Sequence, residues 1–164
     1  MNGVNGVQSV GIGEYVVSQD VNDEIKTYGL GSCVAVMVYD WRRRMGGLLH
    51  VAYPESSVNP ERAKTQPGYF ADTGVELLMK VFTRKHSPDR RDLIFRLAGG
   101  ANVMDEEGRF NIGKRNTLAV KRELWRLGYG VKSEDVGGNI SRTISLSVAS
   151  GTVIVSNAGD KWEL

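Results

Sequence analysis

The sequence predicts an α+β fold, a layered α/β sandwich of mostly antiparallel strands with two main helices. Three observations support this prediction. Several short apolar runs are rich in β-branched residues, only two segments repeat apolar residues with the helical period, and the twenty glycines fall mostly in small clusters between these runs. Glycine makes up about 12% of the chain against a typical 7%, which indicates many turns. A length of 164 residues suits one domain with a single core.

The composition excludes several classes of protein. Hydrophobic residues make up 41% and charged residues 24% of the chain, and 21 basic side chains against 19 acidic ones leave a net charge of +2. This balance fits neither a disordered polyelectrolyte nor a protein that coats nucleic acid. No apolar run approaches the roughly 20 residues of a membrane helix, and residues 1–13 lack the pattern of a signal peptide. We expect a soluble, cytoplasmic protein that is not embedded in a membrane and binds no nucleic acid.

The N-terminal part is predicted to contain a flexible end followed by a strand. Residues 1–12 alternate Gly, Asn and Val without a helical period, so we expect a flexible segment ahead of a single domain over residues 13–164. The first strand is predicted near Glu14–Ser18.

A β-hairpin follows. Cys33–Tyr39 is continuously apolar, as a strand buried on both faces is, and Gly47–Tyr53 reads as a second strand. Their short connection favours antiparallel pairing. Residues 54–67 then contain three prolines and are predicted to form a loop of unusual length, a kind of loop that is often functional.

Two helices and four strands are predicted in the remainder. Phe70–Lys85 has apolar residues at helical spacing, with Asp72 as its cap, and the second helix covers Thr117–Leu127 with Asn116 as its cap. Pro88 and Gly128 end them. The strands are predicted at Leu93–Ala98, Val131–Asp135, Arg142–Val148 and Thr152–Ser156.

The single cysteine is the first candidate for chemistry. One cysteine excludes an internal disulfide and a multi-cysteine zinc site. Cys33 follows Gly29-Leu30-Gly31-Ser32, and such a glycine turn can expose the next side chain and aim the backbone N–H groups of Ser32 and Cys33 at one point, as an oxyanion site requires. The alternative is that a cysteine beginning an apolar strand is a small core residue.

His50 interrupts the second strand of the hairpin. A four-residue loop at 40–43, or a two-residue turn at 41–42, would place His50 directly opposite Cys33, with Cβ atoms roughly 5 Å apart. A three- or five-residue loop would send the two side chains to opposite faces. A thiolate beside an imidazole is a nucleophile with an acid–base partner, and Thr27 could accept a hydrogen bond from the outer ring nitrogen. Taken alone, His50 and Thr27 also fit ordinary structural roles.

Together these residues resemble a known family. Thr27, the run Gly29-Leu30-Gly31-Ser32-Cys33, and Gly47-Leu48-Leu49-His50 followed by Pro54 are similar to the chemoreceptor glutamine deamidases of the CheD family. The resemblance covers about residues 12–156. Further matching motifs are Tyr69-Phe70-Ala71-Asp72, Ala98-Gly99-Gly100-Ala101, Asn111-Ile112-Gly113 with Asn116, and Asp135-Val136-Gly137-Gly138 with Arg142. Ser141 and Ala52-Tyr53 depart from the family's usual residues.

The resemblance implies an enzyme that hydrolyses the side-chain amide of selected glutamines in chemoreceptor cytoplasmic helices. It implies Cys33 as nucleophile, His50 as acid and base, and Thr27 as the residue that orients His50. It also implies no metal or organic cofactor, a CheC-type phosphatase as a partner, and a fold like the deamidase domain of cytotoxic necrotising factor toxins. Tyr53 and Pro54 begin the loop after the His50 strand, so we expect them to help grip the substrate.

Three alternatives remain at this point. The domain could regulate receptors and the phosphatase by docking, with an idle Cys–His pair. It could be a cysteine hydrolase of another substrate class, such as a peptidase or a transglutaminase, because the same dyad serves acyl transfer generally. It could also be a small β-rich scaffold with a buried cysteine.

Overall fold

The computed structural model describes residues 6–103 and 110–164 and has three layers, one of helices and two of strands. In these described ranges, ten strands form two five-stranded sheets. The central-sheet strands are β2 (Tyr15–Ser18), β4 (Val34–Asp40), β5 (Met45–Val51), β6 (Leu93–Gly99) and β7 (Ser133–Val136). The outer-sheet strands are β1 (Val7–Ser9), β3 (Glu24–Leu30), β8 (Arg142–Ser147), β9 (Val153–Asn157) and β10 (Asp160–Glu163). The central sheet has the order β2-β5-β4-β6-β7 and the outer sheet the order β1-β3-β8-β9-β10.

Most strand pairs are antiparallel, as predicted. Only the pairs β1 with β3 and β6 with β7 are parallel among the described residues, so both sheets are mixed. The helices are α1 (Pro60–Thr65), α2 (Ala71–Phe82) and α3 (Ile112–Arg126), of which α2 and α3 are the two main ones. The α+β class with two main helices is therefore confirmed.

The central sheet is buried on both faces, which explains its continuous apolar strands. Every residue of β4 and β5 is buried. One face packs against α2 and α3, and the other packs against the outer sheet. Both strands therefore alternate between two buried faces rather than between core and solvent.

Several sequence predictions are corrected. Part of the segment expected to be flexible is instead strand β1, and Val10 after it is buried; residues 1–5 lie outside the described residues. The segment 54–67, predicted as a long loop, contains a 3₁₀ turn at Ser56–Val58 and α1, and a second 3₁₀ turn, Pro67–Tyr69, begins at its last residue. Strands β3 and β10 were not predicted, because β3 carries polar residues on its solvent face and β10 contains only one apolar residue.

Both predicted helix caps are wrong. The carboxylate of Asp72 does not cap α2 but accepts hydrogen bonds from the backbone N–H and the hydroxyl of Ser56, at 2.9 and 2.8 Å, and so ties down the preceding loop. Helix α3 begins four residues earlier than Asn116, which lies within the helix and is completely buried. A short polar residue at the start of an apolar stripe is a weak signal when the first turn of the helix is itself polar.

Candidate active site

Thr27 and His50 are in contact between the two sheets, and Cys33 lies on the same side of the central sheet, at the end of the β4–β5 hairpin away from its turn. Cys33 directly precedes β4, His50 lies near the end of β5, and Thr27 comes from β3 of the opposing sheet. Thr27 and His50 are buried, with 0% and 2% of their surface exposed, whereas Cys33 is half-buried. The candidate site therefore has a buried imidazole and hydroxyl and a thiol closer to solvent.

The hairpin register differs from the predicted one by two residues. His50 pairs with Ala35, and Val34 pairs with Val51, so Cys33 lies diagonally across from His50 and not directly opposite it. The reason is the position of the turn. Asp40 remains in β4, where its buried carboxylate accepts hydrogen bonds from two turn amides, so the four-residue turn is 41–44 rather than 40–43.

This shift keeps Cys33 and His50 on the same face of the sheet, because side chains alternate with a period of two. Diagonal neighbours on one face are typically about 7 Å apart, within reach of a long side chain such as histidine. Both side chains face the outer sheet. Ala35, which lies two residues after Cys33 and pairs with His50, faces the same way. The prediction of a shared face is thus correct although the predicted pairing is not.

Thr27 fixes the protonation pattern of His50. The Thr27 hydroxyl lies 2.7 Å from the carbonyl oxygen of Val10 and 2.7 Å from Nδ1 of His50. A hydroxyl has one proton, and the Val10 carbonyl can only accept, so Thr27 donates to Val10 and accepts from His50. Neutral His50 must therefore carry its proton on Nδ1. Its Nε2 atom is then an unprotonated acceptor.

The Nε2 atom of His50 is buried and has no hydrogen-bond partner among the described residues. Leaving a buried polar atom unpaired costs about 1–3 kcal/mol, so such an atom calls for a functional explanation. Burial also lowers the pKa of His50 to about 4, because imidazolium is poorly solvated there. The resting imidazole is therefore neutral at physiological pH, and its Nε2 atom carries no proton.

Burial raises the pKa of the Cys33 thiol, and the residue's own backbone N–H opposes this change by favouring the thiolate. The resting pair is consequently thiol and imidazole, not thiolate and imidazolium. Among the described residues, the amides of Ser32 and Cys33 donate no backbone hydrogen bond. These two N–H groups therefore have no backbone carbonyl acceptor in the described part of the chain.

Asn116 of α3 is a supporting residue that the sequence reasoning assigned wrongly. Its side-chain nitrogen donates to the carbonyl oxygens of Ser32 and Ala52, both at 2.9 Å. Ser32 precedes Cys33 and Ala52 follows the strand of His50, so one amide group ties together the two segments that carry Cys33 and His50. The signal available in the sequence was an amide side chain among the apolar positions of a helix.

Close backbone packing holds the other side of the Cys33 turn. The amide of Gly100 donates to the carbonyl of Cys33, and a Cβ at Gly99, whose φ is +107°, would collide with that same carbonyl oxygen. Arg142 is buried, forms a 2.9 Å ion pair with Asp135 and reaches the Gly99 carbonyl at 3.4 Å. The turn before β4 is thus anchored from β6 and β8.

The two residues predicted to contact substrate occupy different environments. Tyr53 is 42% exposed and lies on Tyr69 and Phe70, with ring centroids 5.6 and 6.4 Å away. Pro54 is buried, so only the tyrosine presents a surface in the free protein. A hollow of about 230 Å³ adjoins the Cys33 turn, and it is lined by Gly31, Ser32, Ala101, Asn102, Val103, Phe110, Ile112 and Gly113.

The described residues contain no group of three or more His, Cys, Asp or Glu side chains placed to hold a metal ion. In the same part of the chain, no helix is both long enough and apolar enough to cross a bilayer.

Comparison with known proteins agrees with the resemblance noted in the sequence. Residues 53–157 match the family described as CheD chemotactic sensory transduction. A probable chemoreceptor glutamine deamidase CheD from Syntrophotalea carbinolica is 50% identical over 157 residues, covering 94% of this chain and 97% of the relative. A protein from Anaeromyxobacter dehalogenans, also named as a probable CheD deamidase, is 44% identical, covering 93% of this chain and 95% of the relative. Another from Thermococcus kodakarensis is 42% identical, covering 88% of each chain. The chain belongs to the CheD family.

Proposed function

We propose that this protein is a protein-glutamine deamidase that converts selected glutamines of chemoreceptors to glutamates. The observation that carries the proposal is the Val10–Thr27–His50 hydrogen-bond chain, which leaves the unprotonated Nε2 of His50 buried, unpartnered and on the sheet face of Cys33. A nucleophile beside a base that is itself oriented by a third group is the arrangement of covalent acyl transfer. The names of the similar proteins support the substrate class.

In the first half-reaction, His50 Nε2 removes the thiol proton as the sulfur of Cys33 attacks the carboxamide carbon. The amides of Ser32 and Cys33 stabilise the negative oxygen of the tetrahedral intermediate. The imidazolium of His50 then returns its proton to the amide nitrogen, the C–N bond breaks, and ammonia leaves. The product is a thioester between Cys33 and the former glutamine.

In the second half-reaction, neutral His50 removes a proton from water, which attacks the thioester carbon. The C–S bond breaks, the proton returns to the sulfur, and a glutamate side chain is released. Because Thr27 offers a hydroxyl oxygen and not a carboxylate, it orients the ring without strongly stabilising imidazolium. His50 therefore remains a ready base between the two steps.

Several further features belong to the same proposal. The protein acts in the cytoplasm, where receptor signalling helices are accessible, and needs no cofactor for acyl transfer. Tyr53, exposed at the start of the loop after β5, contacts the substrate helix. A CheC-type phosphatase is its second partner, and its layered fold is related to the deamidase domain of cytotoxic necrotising factor toxins.

Tandem mass spectrometry of a receptor cytoplasmic fragment tests the proposal. The fragment, from the organism that supplies this chain, is incubated with the wild-type protein and separately with Cys33→Ala. We expect glutamine-to-glutamate conversion, a gain of about 1 Da, at defined positions with the wild type only. Backbone cleavage would indicate a peptidase, and incorporation of added methylamine a transglutaminase.

Conversion by Cys33→Ala at the wild-type rate would remove the proposed nucleophile. No conversion by folded wild-type protein would overturn the enzymatic proposal, and unchanged receptor signalling in cells carrying Cys33→Ala would favour docking as the function. Circular dichroism of both proteins shows whether the variant is folded.

A further inference from the structure

Helix α3 carries an exposed face that the site does not use. This α3 face consists of Lys114, Arg115, Leu118, Lys121, Arg122 and Trp125. Leu118 and Trp125 are 50% and 81% exposed, unusually high values for large apolar side chains on a helix whose other face is packed in the core. Single exposed apolar residues are common, but here two occur in one row.

The spacing turns these side chains into three parallel rows. Leu118 and Trp125 are seven residues apart and form the middle row. Arg115 and Arg122 form a row on one side, and Lys114 and Lys121 form a row on the other. An apolar row flanked by charged rows at seven-residue spacing is the pattern by which one helix packs along another.

The charge of the face has one sign. Helix α3 contains five basic residues and one acidic residue, Glu123, which is bonded to Arg126 at 2.8 Å. Lys121 is paired with Glu134 at its edge. The ion pairs of α3 with described residues involve Lys121 and Arg126 and leave Arg115 and Arg122 without one, so the charges of these two arginines are available to a ligand. A second copy of this face would be repelled, which argues against a symmetric dimer through α3.

We propose that the α3 face docks an acidic amphipathic helix of the substrate protein. The partner helix would present an apolar row to Leu118 and Trp125 and carboxylates to the flanking basic rows. The inference rests on the proposed function, because α3 also reaches the site: its Asn116 holds the carbonyl of Ser32 beside the nucleophile. A helix lying along the roughly 22 Å of α3 would lead directly to the Cys33 turn.

Binding and kinetics test this surface together. The probes are the receptor cytoplasmic fragment and a designed helical peptide with a leucine row flanked by glutamates; a control peptide has lysines in place of the glutamates. Arg122→Glu is compared with Lys161→Glu, which makes the same charge change on the exposed β10 of the opposite layer. We expect Arg122→Glu to weaken binding of the fragment and the acidic peptide about tenfold, and Trp125→Ala by at least as much, with Lys161→Glu within about twofold of wild type.

The kinetic readout separates docking from chemistry. In deamidation of the receptor fragment, Arg122→Glu should raise KM with kcat at saturation unchanged, because the face makes no contact with the reacting atoms. Binding of the acidic peptide should also shift the fluorescence of Trp125 to shorter wavelength, a change lost in Trp125→Phe. The peptide assay gives a result even if no deamidation occurs, so failure of the proposed function is distinguishable from failure of this surface.

Three outcomes would overturn the inference. Equal weakening by Arg122→Glu and Lys161→Glu would show only a general effect of charge. Equal binding of the acidic and lysine peptides would remove the charge argument. Binding to vesicles of phosphatidylglycerol and phosphatidylcholine, without binding to the receptor fragment, would assign the face to a membrane surface.

Discussion

The two faces of the central sheet are both buried, yet they differ in chemistry. The face toward α2 and α3 is lined by aliphatic and aromatic side chains, with Val34, Val36 and Leu49 among them. The face toward the outer sheet is apolar through most of its length but ends in His50, which bonds to Thr27 of β3. Alternate residues of β4 and β5 supply both faces. The difference between the faces therefore arises from the choice of side chain and not from the backbone.

This comparison separates two uses of burial. Toward the helices, burial stabilises the fold by removing apolar surface from water. At the polar end of the other face, the buried Nε2 atom of His50 has no hydrogen-bond partner in the described part of the chain, and burial lowers the pKa of the ring to about 4. The first face should therefore govern stability and the second activity, and variants on each can separate the two.

His50→Leu should produce the largest effect. Removing the base should lower kcat/KM for receptor deamidation at least about 100-fold, since acid–base groups contribute roughly 10²–10⁴-fold. Stability should stay equal or rise, because the unpaired buried nitrogen is removed and Thr27 keeps its bond to Val10. Mass spectrometry and urea unfolding measure the two quantities.

Leu78→Ala, on the helix side, should show the converse. Leu78 is completely buried in the cluster between α2 and the central sheet, so truncation should cost about 2–5 kcal/mol of unfolding free energy. Deamidation per folded molecule should remain within about twofold of wild type, because the residue lies on the far side of the sheet. If Leu78→Ala lost activity while folded, or His50→Leu unfolded, the division of roles between the two faces would be wrong.

Thr27 offers a finer test, because it belongs to the outer sheet but serves His50. Thr27→Val keeps the shape and removes the acceptor of the Nδ1 proton, so kcat should fall about 10- to 100-fold, as is typical for residues that orient a catalytic group. Thr27→Ser keeps the hydroxyl and should retain most activity. Equal losses in both variants would point to packing and not to the hydrogen bond.

Much of this architecture could be predicted from local pattern. The hairpin, the two main helices and the doubly buried β4 follow from apolar runs and their periods. The shared face of Cys33 and His50 follows from strand alternation, which tolerates a register error of two residues but not of one.

What escaped prediction depends on tertiary contacts. The register was set by the buried carboxylate of Asp40, which holds the turn at 41–44. Strand β3 reads as polar because only its inward residues, such as Ile25 and Thr27, are buried. The local sequence makes Asn116 resemble a helix cap. Its two acceptors, the carbonyls of Ser32 and Ala52, are distant in sequence, so the local pattern cannot reveal its actual role.

Asn116 therefore provides a prediction that sequence reasoning would not make. Asn116→Ala leaves the carbonyls of Ser32 and Ala52 without this donor and should cost about 1–3 kcal/mol of unfolding free energy. Activity of the folded variant should also fall, about tenfold, because the two ends carrying the dyad are no longer tied. Thr117→Val is the matched control, since the Thr117 hydroxyl donates within α3, to the carbonyl of Gly113, and has no other partner in residues 6–103 and 110–164. Equal activity in both variants would make Asn116 purely structural.

The smallest expected effect is that of pH on kcat/KM. A small effect is what a His50 with a lowered pKa predicts, so its size tests the burial of the ring. Burial disfavours imidazolium, so the pKa of His50 falls from 6.5 to about 4 and the base stays neutral as the pH drops. Between pH 8 and pH 5, kcat/KM should change less than about twofold, whereas a base with an ordinary pKa would lose roughly 30-fold. Stability should decline over the window from pH 6.5 to 4, where only the unfolded chain binds the proton, so each assay needs a check of folding by circular dichroism. A loss of activity centred near pH 6.5 in folded protein would mean that His50 is solvated or paired with a thiolate. The face toward the outer sheet would then not hold a buried, neutral imidazole, and the proposed chemical difference between the two faces would be wrong.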